Sequence, residues 1–367
     1  MKILMIGNNL SVQSGVQRYI QNLLLHIDPK RYQVDLFVAP CPKGQVSSQP
    51  SLEARGVNLI LGSDNDKQRP WELAGYLRNH HDYDIVHYHI NSKVSALSCI
   101  VIKMLCPHAK LIVHSHVVYP PLTFGWRVAH LLYQMTADYF LGCGVEAGKF
   151  AFGSRINHRN NFSVACNAVD RSVFFPDGQA RANIRAQYGI TNDERLCGFV
   201  GRYNHEKNIL FLLDVFSEMY KLDRSWRLLL VGCGVDQEKV DKKIEKLGLQ
   251  KHVYQAGLQE KVAMYMNAFD LFVLPSEFEA SPITLVEAQA CGVPCLVSSR
   301  VPRDGAVTDL VHFLALEDSA QRWAQLANRL ATGEKHADRW EKLTKSGYEL
   351  QEAAARMQKL YDKMVRS

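Results

Sequence analysis

The feature that most constrains this chain is an alternation of short apolar runs with amphipathic stretches, which runs through it twice. Residues 2–7, 32–39, 57–61, 84–90 and 110–117 read as strands, with helical spacing around 71–82, 91–105 and 124–137 and further strands near 139–143 and 162–166. Apolar strands separated by helices of ten or more residues make a parallel sheet with right-handed crossovers. At 167–178 the pattern gives way to a connection containing proline and glycine, and then it resumes. Strands follow at 195–202, 227–232, 253–256, 271–275 and 294–299, with helices at 207–221, 236–247, 260–269 and 319–333. The expected fold class is α/β, two doubly wound domains covering 1–172 and 173–346. Ligands of such sheets bind at the carboxyl ends of the strands, so a cleft between the domains is expected. A last helix at 347–365, about 28 Å long at 1.5 Å per residue, is long enough to cross back, and 347–367 is counted with the first domain.

A chain of 367 residues is too long for one ordinary core. No apolar run approaches the roughly 20 residues of a membrane span, and the first residues turn polar too soon for a signal peptide. The 9 cysteines show no paired metal spacing; Cys291 and Cys295 read as core packing, and the set fits a reducing cytoplasm. A net charge of +6 is too slight for a nucleic-acid binder but allows attraction to anionic substrates or to an anionic membrane surface.

Two carboxylates eight positions apart, Glu279 and Glu287, straddle a helix start. Ser281 reads as the N-cap, Pro282 as the first helical residue, and Gly292 with Pro294 as the stop, giving a helix at 282–291. Free N–H groups at Ile283 and Thr284 suit a phosphate, and a carboxylate one turn in can accept two hydrogen bonds from a ribose diol. Taken alone, the same residues read as a capped turn with two solvated glutamates. The stretch from Phe199 to Asn208 supplies context. Arg202 lies on the turn after a strand and Lys207 at the start of the next helix, two cations at the same sheet edge as Glu279 and enough for a diphosphate.

Gly201-Arg202 and Lys207-Asn208, followed some seventy residues later by Glu279 and Glu287, resemble the retaining glycosyltransferases of family 4, which have the GT-B fold. The branch that builds capsular and exopolysaccharides is the most similar. The resemblance extends along nearly the whole chain, through Ser14-Gly15-Val-Gln, Val113-His-Ser-His116, Asn167-Ala-Val-Asp170 and Gln255-Ala-Gly257 ahead of Val262-Ala-Met-Tyr. It implies that Arg202 and Lys207 hold the donor diphosphate, that Glu287 binds the ribose and that Glu279 faces the donor sugar. It also implies that His116 approaches that sugar, that Gly15 lets the backbone come close to phosphate or acceptor, and that Gln255 and Gly257 flank the base through backbone groups. Ser14, Ala280 and Ala168 stand where many members have glycine, which bears on the identity of the donor sugar.

Weaker signals remain. Gly232-Cys-Gly234 lacks the third glycine of a dinucleotide loop and reads as a tight turn. Asp64-Asn-Asp66 resembles a metal pair but lies in a polar loop. His87, His89 and His114 read as core or site residues alike. Aromatics beside cations from Pro120 to Arg127 and from Lys149 to Arg155 suit either a lipid headgroup or ordinary helix packing. The expected protein is a cytoplasmic, metal-independent retaining hexosyltransferase without a cofactor, capable of peripheral contact with the inner face of the membrane. It would move a sugar from a UDP-linked donor to a lipid-linked or oligosaccharide acceptor. The rival readings are an epimerase or hydrolase of the same fold and a non-catalytic nucleotide-sugar-binding subunit.

Overall fold

A computed structural model describes residues 1–12, 14–90, 92–118, 123–333 and 336–366. The chain divides into two compact units, Met1–Ala168 with Leu350–Ser367, and Val169–Glu349. The first contains β1 (Lys2–Asn9), α1 (Gly15–His26), β2 (Gln33–Ala39), α2 (Gln49–Ala54), β3 (Asn58–Leu61), α3 (Arg69–Leu77) and β4 (Ile85–Ile90). It continues with α4 (Ser95–Leu105), β5 (Lys110–Ser115), α5 (Phe124–Thr136), β6 (Tyr139–Gly142), α6 (Val145–Phe152) and β7 (Phe162–Val164). Its strands lie in the order β3-β2-β1-β4-β5-β6-β7, all parallel. Ile3, Leu4, Met5 and Ile6 are all inaccessible to solvent, as expected of a strand covered on both faces.

The second unit opens with α7 (Gly178–Gln187), β8 (Arg195–Val200), α8 (Ile209–Leu222), β9 (Trp226–Val231), α9 (Gln237–Lys246), β10 (Val253–Gly257) and α10 (Val262–Ala268). It closes with β11 (Leu271–Leu274), α11 (Ile283–Ala290), β12 (Cys295–Ser298), β13 (Val311–Leu314), α12 (Ala320–Leu330) and α13 (Trp340–Lys345). Its parallel strands lie in the order β10-β9-β8-β11-β12-β13. The last helix, α14 (Leu350–Arg366), begins three residues later than expected and packs into the first unit. There Met357, Tyr361 and Met364 join Tyr19, Leu23 and Leu24 in one apolar cluster, and the Tyr32 hydroxyl donates to Asp362 at 2.8 Å. Among the described residues no helix is long and apolar enough to cross a membrane.

Three local expectations need correction. Pro282 has ψ 98°, outside the helical range, so it is the N-cap and α11 starts at Ile283; Ser281 makes no cap. Lys207 does not open a long helix. It ends a 3-10 turn at His205–Lys207, after which Asn208 takes a left-handed conformation (φ 51°) and α8 begins. Trp126 is buried against Phe150, edge to face at 4.9 Å, so it is no exposed anchor, and Pro120, Pro121 and Leu122 lie outside the described residues.

Candidate active site

The carboxyl ends of β8, β9 and β10 are pressed together by glycine. Gly201 donates its N–H to Val231 at 3.0 Å and Gly232 to Gly257 at 2.8 Å. A Cβ on Gly232 would stand 2.0 Å from the Gly201 carbonyl, and Gly232-Cys-Gly234 is thus a tight turn against the loop that carries Arg202. Gly257 itself has φ 65°, the left-handed region where a side chain is strained. The Gln255 side chain turns along this edge to Gln237 and Asp241 at 2.7 and 2.9 Å.

Beyond Gly201 the chain builds a cationic corner. Asn204 caps the 3-10 turn by accepting from the Lys207 N–H at 3.1 Å, and the left-handed Asn208 lets α8 start at once. Lys207 then reaches back over Gly201, and its ammonium pairs with Glu279 at 2.5 Å. Arg202 is exposed, and no carboxylate among the described residues pairs with it.

Glu279 is held from a second side, since the Ser276 hydroxyl donates to the same carboxylate oxygen at 2.8 Å. The loop between β11 and α11 is tied to the cationic turn by the Glu277 N–H donating to Glu206 at 2.8 Å. Glu277 accepts from Arg300, which also pairs with Glu317 at 2.5 Å. Next comes α11, buried nearly all round, with Glu287 only 8% exposed. Its first N–H groups, at Ile283 and Thr284, have no earlier turn to bond to, and the buried Thr284 hydroxyl oxygen has no hydrogen-bond partner. Gln289 locks the helix: its amide donates to Leu285 and Gly305 and accepts from the N–H groups of Val307 and Thr308 at 2.7–3.1 Å. Gly292 (φ 70°) ends it where a Cβ would meet Ala337 at 2.7 Å.

In the first unit Gly15 opens α1, and a Cβ there would meet nothing within 4 Å, so no protein atom requires glycine at that position. The histidines form one cluster across the neighbouring strands β4 and β5, where His89 is in register with His114. His87 Nδ1 bonds the Tyr361 hydroxyl at 2.8 Å and His87 Nε2 bonds His114 Nδ1 at 3.3 Å. His116 lies just past the end of β5, half-buried, with its Nε2 at 2.9 Å from His89 Nδ1 and the Tyr19 ring at 5.4 Å. Burial pushes His87 and His116 down to about 3 and holds His89 and His114 well below the usual histidine range, so all four are neutral near pH 7. Ring nitrogens of His87, His89 and His114 lie within 4.8 Å of one another, a spacing compatible with a metal ion. Two features argue against that use of the cluster. Both nitrogens of His87 already have partners, and the His87 and His89 rings stack at 4.3 Å, which sends their lone pairs side by side rather than to a common point.

Glu279 and Lys207 thus come into contact, and Arg202, Ile283, Thr284 and Glu287 belong to the same edge of the same unit. His116 and Gly15 belong to the first unit. Asp64 is exposed in the loop after β3. The supports at Asn204, Ser276 and Gln289 went unread: single polar residues carry no periodic signal, and only the Asn204 to Lys207 spacing, that of a cap, could have marked one of them.

Residues 180–346 match the family model described as glycosyl transferases group 1. The putative glycosyltransferase EpsF of Bacillus subtilis is 26% identical over 366 residues, covering 95% of this chain and 94% of that protein. A capsular polysaccharide biosynthesis glycosyltransferase of Staphylococcus aureus, CapH, is 28% identical over 51% of this chain and 53% of its own length. The crystal structure of Anabaena HepE in complex with UDP and glucose superposes with a TM-score of 0.72 at 18% identity, over 97% of this chain and 95% of that one. Residues 180–346 are thus similar to the group 1 glycosyl transferases, and the chain as a whole has the two-domain α/β fold of these solved glycosyltransferases.

Proposed function

We propose that the protein is a retaining hexosyltransferase of polysaccharide synthesis, moving a sugar from a UDP-linked donor to a hydroxyl of a lipid-linked or oligosaccharide acceptor. The observation that carries this reading is the corner where Arg202, the Lys207–Glu279 pair and the opening N–H groups of α11 share one sheet edge with the buried Glu287. The likeness to CapH supports the polysaccharide, and the UDP held by HepE supports the donor nucleotide.

Arg202, Lys207 and the N–H groups of Ile283 and Thr284 hold the diphosphate and offset its charge as it leaves, without need of a divalent ion. Lys207 has three donors, so it can keep Glu279 and still reach a phosphate oxygen. Glu287 accepts from the ribose hydroxyls, and the backbone at Gln255 and Gly257 flanks the base. Gly15 leaves room for phosphate or acceptor. The acceptor oxygen bonds to the anomeric carbon as the bond to phosphate breaks on the same face, and the acceptor proton passes to the departing phosphate oxygen. Glu279 orients the sugar and stabilises its developing positive charge. His116 is neutral and anchored through Nε2 to His89, so the contact with the sugar that the resemblance implies for it would add no competing cation.

A proton NMR time course of the first-formed product tests the reading. An α-linked product from an α-linked UDP-sugar is expected, and a β-linked one overturns it.

A further inference from the structure

We propose that Glu277 is a positioning residue for sugar transfer, holding the turn that carries Lys207 and the loop that carries Glu279 in one register, with Arg300 as its counter-ion. The inference rests on the transferase reading. Glu206 and Asn208 flank Lys207 in sequence, and both meet Glu277 across the sheet edge. The Glu277 N–H donates to the Glu206 carbonyl at 2.8 Å, and the Asn208 amide donates to the Glu277 carboxylate at 3.5 Å, a long bond. Glu279 follows two residues later, where Lys207 and the fully buried Ser276 hold one of its carboxylate oxygens. Glu277 therefore ties down the chain on both sides of Lys207 and just ahead of Glu279.

The other side of Glu277 is held from β12. Arg300 lies two residues past the end of that strand, which runs beside β11. Its guanidinium forks between Glu277 and Glu317, at 2.5 Å from the latter. The carboxyl ends of β8, β11, β12 and β13 are thus linked in one row. Each of the two acids has its own cation, Arg300 for Glu277 and Lys207 for Glu279, so they do not compete for one ammonium. In stability such a pair counts for little, since the Arg300 side chain is 43% and that of Glu317 66% exposed. In geometry it counts for more. Glu279 is assigned to the sugar at the reacting carbon, and a displacement of about 1 Å can cost on the order of 10² in rate. An apolar side chain at 277 would leave Arg300 to Glu317 alone. Among the described residues, the loop would then be joined to the turn only by the backbone bond to Glu206 and the Lys207–Glu279 pair itself.

The test combines turnover of a UDP-sugar, thermal midpoint and the rate at which acetic anhydride acetylates Lys207, followed by peptide mass spectrometry on the full chain. Glu277→Ala is expected to lower kcat by on the order of tenfold or more. Lys207 keeps its charge and reach in this variant, so the KM for the donor should hold while the geometry of the transition state suffers. Freed from its fixed pairing with Glu279, the Lys207 ammonium should acetylate several-fold faster, at an unchanged thermal midpoint. Glu277→Gln, which keeps an acceptor of the same shape, should recover part of the loss. Arg300→Ala should act in the same direction, and the double Ala variant should be no worse than Glu277→Ala alone, because the two act as one unit. Glu317→Ala should match the wild type. Wild-type kcat and Lys207 acetylation in Glu277→Ala overturn the proposal. So does a lower thermal midpoint with Lys207 acetylation unaltered, which would make the Glu277–Arg300 pair a matter of stability alone. The acetylation rates need no transfer: a wild-type protein that transfers no sugar refutes the transferase reading, and the rates still decide whether Glu277 holds Lys207 and Glu279 together.

Discussion

The first sheet is laid out β3-β2-β1-β4-β5-β6-β7 and the second β10-β9-β8-β11-β12-β13, so each runs third, second, first, fourth, fifth, sixth in its own count, and the first adds a seventh strand at the end. Inside this shared order the two units treat buried polar groups differently. The first buries His87, His89 and His114 with no exposure at all and keeps them uncharged. It also buries charge at Arg69 and Asp35 but meets it with neutral partners, Arg69 donating to the Gly7 carbonyl at 2.7 Å and Asp35 accepting from the Tyr83 hydroxyl at 2.6 Å. The second unit pairs buried charge with opposite charge. Asp270 accepts from Arg181 at 2.7 Å, Arg185 at 3.1 Å and the Leu196 N–H at 2.8 Å, and Arg185 is 4% exposed. Burial lowers Arg185 from the usual arginine value while Asp270 works to raise it. The lesson is that a doubly wound sheet sets where ligands and helices go, and leaves the means of satisfying interior polarity to local sequence. The unit assigned the anionic diphosphate also carries its site as charges, Arg202, Lys207, Glu279 and Glu287.

The contrast breaks most visibly in acid. A buried imidazole that refuses a proton the unfolded chain accepts below about 6.5 costs the fold about 1.4 kcal/mol per pH unit. Its contribution is harmless above that pH and grows as pH falls toward the folded value, about 3 for His87. With four such groups, His116 included, the first unit should lose up to roughly 5 kcal/mol per pH unit on acidification. Hydrogen exchange followed by segment, corrected for its intrinsic pH dependence, should show β4 and β5 opening before β8 and β11. Simultaneous opening of both sheets would erase the distinction.

In the second unit the corresponding perturbation is Asp270→Asn, which strands Arg181 and Arg185. It should cost about 3–5 kcal/mol in urea unfolding of that unit. A cost under about 1 kcal/mol would place the pair with ordinary surface ion pairs. Next in size, Arg202→Ala combined with Lys207→Ala should lower turnover by on the order of 10² or more. Full turnover in the double variant would remove charge from the account of the site. Glu287→Ala should weaken UDP binding by roughly 1.5–3 kcal/mol, read by calorimetry, whereas unchanged affinity would reduce Glu287 to a structural role in α11. The smallest expected effect is that of EDTA, which should leave activity intact. Complete loss, restored by manganese, would move attention to Asp64 and Asp66 in the first unit.

Elements with strong periodicity were legible, because strands covered on both faces must be continuous apolar runs. The polar α7 was not, although Asp177 caps it through the Gln179 and Ala180 N–H groups at 2.9 and 3.0 Å. The short α2, α6, β13 and α13 were also missed, having too few residues to show a period. At Trp126 composition left two readings open, lipid contact and helix packing, and the fold chose packing for this ring: the helix turns it inward and leaves Phe124 outside.

The sequence by itself determined the double alternation and the sheet edge on which Arg202, Lys207 and Glu279 fall, and it carried the resemblance to the glycosyltransferases, because all three rest on spacing along the chain. Only the tertiary structure decided that Lys207 and Glu279, 72 residues apart, form an ion pair, and that His89 rather than a carboxylate backs His116. Both follow from strand adjacency, β8 beside β11 and β4 beside β5. Adjacency in a sheet is set by crossover packing over distances that no local pattern of residues encodes.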